Sequence, residues 1–242
     1  MSGGVIFQEA LRVLSSTRLH ELAEHDTLQA LEAARKDAPL DLLYDCGSAA
    51  RLPRDELLVR SAAIYFSFTA GNLADDLADG ECTYLGEPTR TAPCVQFILQ
   101  NLFVATLGRA RLLPSVIEDV GTTLARASGP QLLEVRTRQW TMDLARVVGE
   151  SIAGMQYAAY MRLLWHGTPL EPRAHEIGCA LGIAGHVAKD IATKDPRITT
   201  LTSEDAAALV SWARDHAEAL RKARLECLDA TLRYIDPILA QT

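Results

Sequence analysis

Asp75-Asp76-Leu77-Ala78-Asp79 places three carboxylates within five residues. Counting back from this box, Tyr65, Phe68, Asn72, Asp75 and Asp79 are spaced by three, four, three and four. On a helix such spacing puts them on one stripe. Two rings would lie below, with an amide and two carboxylates above, forming an apolar slot with an acidic mouth if the stripe faces a cavity. Carboxylates one turn apart can share a hard cation, and magnesium in such sites keeps waters and bridges carboxylates to substrate phosphates. The pattern suits a greasy molecule with a diphosphate head. The alternative is a solvated helix end, but three acids in a last turn repel one another and oppose the helix dipole. That local cost favours a bound cation, with Asp75, Asp76 and Asp79 as metal-binding candidates and Tyr65, Phe68 and Asn72 as substrate-lining ones.

The element that must carry the box is a helix. From Pro53 the chain runs PRDELLVRSAAIYFSFTAGNLADDLADG, about seven turns that end at Gly80, where a left-handed cap is easily adopted. Elsewhere apolar residues recur three and four apart, with no sustained alternation of the kind that marks strands. The expected fold is all-α. Proline and glycine breaks at Ala38-Pro39, Leu52-Pro53, Gly86-Glu87-Pro88, Ser128-Gly129-Pro130, Gly167-Thr168-Pro169 and Asp195-Pro196 divide it into eight or more helices. Pro53 and Pro130 suit helix starts, and Thr202 with Asp205 resembles a capping box. No repeat or flexible linker divides the chain, so residues 1–242 are expected to form a single domain.

Composition narrows the partners. With 31 acidic against 24 basic residues the net charge is −7, which repels nucleic acid and anionic membrane surfaces alike. No apolar stretch reaches the ~20 residues needed to span a bilayer. The opening MSGGVIFQEALRVLSS lacks the pattern of a secretory signal, so a cytoplasmic location is expected. Cys46, Cys82, Cys94, Cys179 and Cys227 are scattered and form no Cys-x-x-Cys pair, which predicts buried, reduced thiols. His20 and His25 miss the zincin spacing by one residue, and no nucleophile elbow, P-loop or dinucleotide fingerprint is present.

DDLAD at the end of an aromatic helix resembles the first aspartate-rich motif of the class I isoprenoid synthases. That resemblance implies an all-α bundle around a central cavity, magnesium as cofactor and an allylic prenyl diphosphate as substrate. Two blocks are similar to the squalene and phytoene synthase branch: LPRDELLVRSAAIYF leading into DDLAD, and KDIATKD followed by LTSED. The second metal motif then falls on LGIAGHVAKDIATKD, with Asp190 completing the opposite side of the site. This segment departs from the family pattern. Thr193 and Lys194 stand where acids are expected, Asp195 is displaced, and against a terpene-cyclase triad Lys189, Thr193 and Arg197 keep only the hydroxyl. Lys189 and Arg197 cannot ligate a metal as cations. Lys189 can instead meet a phosphate directly, supplying positive charge where a metal ligand is missing. Chain elongation is disfavoured, because the Gly-Lys-Arg element that holds isopentenyl diphosphate in elongating synthases is absent.

A further long helix is predicted between Pro130 and Leu164, loosened near Gly149. The family uses such a break with an upstream arginine as diphosphate sensor, a role that falls on Arg146; an Arg146–Glu150 surface ion pair is the competing expectation. Gln156, Tyr157 and Tyr160 could line the slot, their rings stabilising a carbocation. Near the end, Arg233-Tyr234 resembles the pair that caps the site in some terpene cyclases. The sequence thus points to a transferase or lyase of isoprenoid biosynthesis, a terpene synthase or prenyltransferase, and related proteins often form homodimers. A catalytically silent relative that binds an isoprenoid or a partner enzyme, and a helical regulatory module, are the alternatives.

Overall fold

The box-bearing segment folds as one uninterrupted helix of 26 residues, Arg54–Asp79. The computed structural model that shows this describes residues 3–137 and 140–240, with Leu132, Glu134 and Val135 described by backbone alone. All regular structure among these residues is helical. Contacts divide the chain into two compact units, residues 1–113 and 114–242.

The first unit contains α1 (Gly3–Ser16), α2 (Glu21–Ala34), α3 (Leu40–Ala49), α4 (Arg54–Asp79) and α5 (Pro88–Leu107). Helix α4 is its axis, packed by the other four. It starts after Pro53, whose missing N–H costs nothing there, and carries Asp55 and Glu56 in its first turn, where they complement the dipole. It stops at Gly80, whose φ of 75° is the left-handed cap expected from the sequence. Ile64, Tyr65, Phe66 and Leu73 of α4 are fully buried with Ile6, Leu31, Leu43 and Leu99. Each such side chain contributes about 1.5–3 kcal/mol of burial. Gly3 is needed where α1 meets α3, since a Cβ there would lie 2.6 Å from Leu40 Cβ.

The second unit contains α6 (Pro114–Ala127), α7 (Gly129–Arg136), α8 (Met142–Val148), a π-helical turn at Gly149–Gly154, α9 (Met155–Trp165), α10 (Ala174–Thr193), α11 (Pro196–Thr199), α12 (Ser203–Ala223) and α13 (Asp229–Ala240). The long helix expected from Pro130 to Leu164 is therefore corrected. Helix α7 ends at Arg136, and Thr141, in extended conformation, starts α8 afresh by accepting the Leu144 N–H at 3.3 Å. Arg138 and Gln139 lie outside the described residues. The loosening near Gly149 takes the form of the π turn, which inserts extra backbone without ending the helix.

Helix α10 lies against this turn and α9. A Cβ on Gly182 would stand 2.1 Å from the Ala153 carbonyl oxygen, and one on Gly178 2.4 Å from Ala158 Cα. Only hydrogen at these positions permits so close a helix pair. Trp165, Tyr160 and Met161 of α9 fill the core beside it. Thr202 caps α12 by accepting the Asp205 N–H, as its sequence context suggests. The cysteines follow expectation only in part: Cys46, Cys82 and Cys227 are buried, but Cys179 is half-buried and Cys94 exposed, all as free thiols. No helix among the described residues is long and apolar enough to cross a membrane.

Candidate functional site

Helical periodicity delivers Asn72, Asp75 and Asp79 to one face at the end of α4, with Asp75 and Asp76 half-buried and Asp79 exposed. Asp76 is tied from two sides. Its Oδ2 accepts the Asn72 Nδ2–H at 3.0 Å and the Tyr84 hydroxyl at 2.8 Å. Its main-chain carbonyl accepts the N–H groups of Glu81 at 2.7 Å and Cys82 at 3.0 Å, so the loop after Gly80 is sewn to the box. Burial, followed by the neighbouring Asp76 carboxylate, pushes the Tyr84 phenol well above its ordinary range, so it donates and stays neutral.

Tyr65 departs from the expected slot lining. It is wholly buried, its hydroxyl donates to the Leu31 carbonyl, and its ring meets Phe7 edge-on at 6.1 Å. The reason is its neighbours: Leu31 of α2 and Phe7 of α1 close over it, so this position of the stripe is core. Phe68, one turn nearer the box, is half-buried.

In the second unit Asp190 sits near the end of α10, half-buried, with His186 Nε2 at 3.4 Å from its Oδ2. Lys189 beside it is exposed, and its carbonyl accepts the Thr193 hydroxyl at 2.9 Å. Helix α10 ends at Lys194, whose φ is 55°, so Asp195 and Arg197 leave the α10 face, as Pro196 implies. Asp195 caps α11 and grips Arg197 (Oδ1 to N and Nε at 2.8 Å, Oδ2 to Nη2 at 2.6 Å), while the guanidinium lies 5.6 Å from the Trp140 ring centre.

Arg146, on α8 just before the π turn, is exposed and lies over the Trp212 ring of α12 at 5.9 Å, rather than forming the ion pair with Glu150. Gln156 donates to the Tyr160 hydroxyl at 2.8 Å, Tyr157 packs on Tyr160 at 5.9 Å, and burial pushes the Tyr157 phenol up to about 12. Arg233 and Tyr234 are exposed on α13, with Tyr234 51% accessible. A cavity of about 270 Å³ in this unit is lined by Asp119, Arg162, Glu171 and His175 and by none of the candidates.

Among the described residues no three His, Cys, Asp or Glu side chains converge to hold a metal ion. Asp75 and Asp79 nevertheless present hard oxygens one turn apart, the set suited to a cation that takes its remaining ligands from water and phosphate. Tyr84 is the contact to the acidic box that sequence reasoning missed. It lies in an irregular loop eight residues after Asp76, where no periodicity marks it.

No protein-family model matches the chain, and no curated protein matches it in sequence. Solved structures do. A geranyltransferase from Legionella pneumophila is 15% identical with a TM-score of 0.70, over 97% of this chain and 93% of that one. A geranyltranstransferase from Thermotoga maritima is 14% identical with a TM-score of 0.71, over 97% of both. An FPP/GFPP synthase from Zymomonas mobilis is 18% identical with a TM-score of 0.63, over 95% and 96%. At such identities the likeness speaks for architecture. The chain has the all-helical fold of the isoprenoid synthases.

Proposed function

We propose that this protein is a magnesium-dependent class I isoprenoid synthase acting on an allylic prenyl diphosphate, with residues 1–242 working as one domain. The observation that carries this is the Asp75/Asp79 pair at the end of α4, in a chain whose fold is shared by proteins named for prenyl transfer. Bound magnesium would supply positive charge to the departing diphosphate. Asp75 and Asp79 hold that charge and Asp76 supports them through the loop. Asp190 is the acid of the second motif, and Lys189 and Arg146 add cationic contacts to the diphosphate. Gln156, Tyr157 and Phe68 are candidate walls, keeping water from the cation formed on ionisation. Chemistry by ionisation, cyclising or transferring to an acceptor, is favoured over chain elongation because no Gly-Lys-Arg element is present.

The test is incubation with magnesium and geranyl, farnesyl or geranylgeranyl diphosphate, followed by assay of released diphosphate and organic products. Turnover with at least one of them is expected. Absence of both turnover and magnesium-dependent binding would refute the proposal. One observation favours a second reading, a silent isoprenoid-binding relative: Thr193 and Lys194 stand in the second motif where the family has acids. Binding without turnover would select that reading.

A further inference from the structure

The net charge of −7 hides one end of the first unit where the sign is reversed. Two carboxylates there are each shared between two arginines. Glu9 of α1 lies 2.6 Å from Arg12 Nη2 and 3.6 Å from Arg109 Nη2. Glu56, in the first turn of α4, lies 3.2 Å from Arg60 Nε and 3.6 Å from Arg111 Nε. It also accepts the Arg111 N–H at 3.2 Å, which fixes the segment after α5 against the start of α4. The charges are layered. The side chains of Glu9 and Glu56 are only 12% and 13% exposed, whereas Arg12, Arg109 and Arg111 are exposed, Arg111 to 89%. Arg51 and Arg54, which precede Glu56 in the chain, are exposed as well, with Asp55 as the exposed acid of these segments. The recessed carboxylates thus hold arginines from beneath, and the outer layer is cationic. Leu113 ends the same segment, 59% exposed, next to half-buried Leu112.

We propose that this face is a peripheral docking surface for an anionic phospholipid bilayer. Guanidinium groups meet phosphate and carboxylate oxygens in planar pairs, and each arginine near a negatively charged lipid surface adds about fivefold to affinity. Leu113 decides between a bilayer and an acidic protein: beside the arginines it offers an apolar side chain to the boundary between headgroups and acyl chains. Glu9 and Glu56 pre-order the arginines above them, which lowers the entropy cost of docking. The acidic box lies at the other end of the 26-residue helix α4, ~39 Å along its axis. That is far beyond the Debye length of about 8 Å at physiological salt, so the box does not cancel the arginine layer. The two ends of α4 carry opposite charge and serve different partners, and docking is independent of whether the box binds diphosphate.

Co-sedimentation of the full chain with phosphatidylcholine vesicles, with and without phosphatidylserine, tests this. Binding is expected only with the serine lipid and weakens as salt rises. Arg109→Gln/Arg111→Gln should lower the partition coefficient about 25-fold, two steps of about fivefold. Leu113→Ser should lower it while leaving its salt dependence unchanged. Arg109 and Arg111 both hold ion pairs. If their double variant melts early, Arg54→Gln keeps the test, because Arg54 has no ion pair among the described residues; its loss is about fivefold. Arg90→Gln, an exposed arginine at the opposite end of α5, is the control and should bind as wild type does. Equal binding to both kinds of vesicle, binding to neither, or a loss in Arg90→Gln equal to that in Arg54→Gln would overturn the proposal. So would a chain that ignores the vesicles and binds polyglutamate through Arg54 and Arg111, which would make an acidic protein the partner.

Discussion

Asp76 and Asp190 are both half-buried carboxylates near the ends of long helices, α4 and α10, and different chemistry surrounds them. Asp76 accepts from an amide and a phenol. Asp190 faces an imidazole 3.4 Å away, with Lys189 preceding it and Lys194 closing the helix. An amide and a phenol orient a carboxylate without bringing charge of their own, whereas nearby lysines add positive charge to the same helix end. On the function proposed above, the first carboxylate would help to recruit metal and the second would stand where lysines meet phosphate. The two ends are also positioned differently. Helix α4 is held by large apolar side chains, α10 by glycines that let backbone touch backbone.

The largest effect is expected where the contrast is sharpest. Asp75→Ala should lower diphosphate release by about 10²–10³-fold, the scale of losing a principal electrostatic contributor, while Asp190→Ala lowers it by about tenfold. Equal losses in a phosphate-release assay would erase the distinction between the two ends. Next, Gly182→Ala forces a Cβ to within 2.1 Å of the Ala153 carbonyl, and overpacking of this kind costs about 1–3 kcal/mol. Urea denaturation should show that loss, and an unchanged midpoint would mean that α10 is not pinned by backbone contact.

The box, its helix and its left-handed stop are legible in the sequence because each rests on local rules: spacing along one helix, an acidic triplet and a terminal glycine. The proline of the Asp195-Pro196 break likewise marks where Arg197 leaves the α10 helix. Tyr65 is misplaced by the same logic, since periodicity shows which residues share a stripe and says nothing about what covers it; α1 and α2 cover Tyr65. The break before α8 and the brace from Tyr84 were hidden for a related reason. Thr141 and Tyr84 act through a cap and a loop hydrogen bond, which leave no periodic trace.

A smaller effect is expected at Lys189. If it meets phosphate, Lys189→Ala weakens diphosphate binding about tenfold, or about 1.4 kcal/mol, and unchanged affinity would return the lysine to plain surface. Smallest is a pH effect at Glu171, a second-unit carboxylate beside the Arg162 guanidinium. The hydrogen bond with His166 first, then the Gly167 N–H and the Arg162 guanidinium, hold its carboxyl below the usual range. A depressed folded pKa contributes stability that is complete above the unfolded value of about 4.3 and is lost as pH falls through the folded value. Thermal melts of Glu171→Gln should lie below wild type at neutral pH and converge with it in acid; parallel curves would remove the cationic clamp from the account.

The central claim, that the end of α4 captures a prenyl diphosphate through magnesium, is tested most directly by titrating wild type and the Asp75→Ala/Asp79→Ala double variant with farnesyl diphosphate, with and without magnesium. The account predicts binding by wild type that requires magnesium and is lost in the double variant while its melting curve stays cooperative. Binding that ignores magnesium, or survives in the double variant, would contradict it.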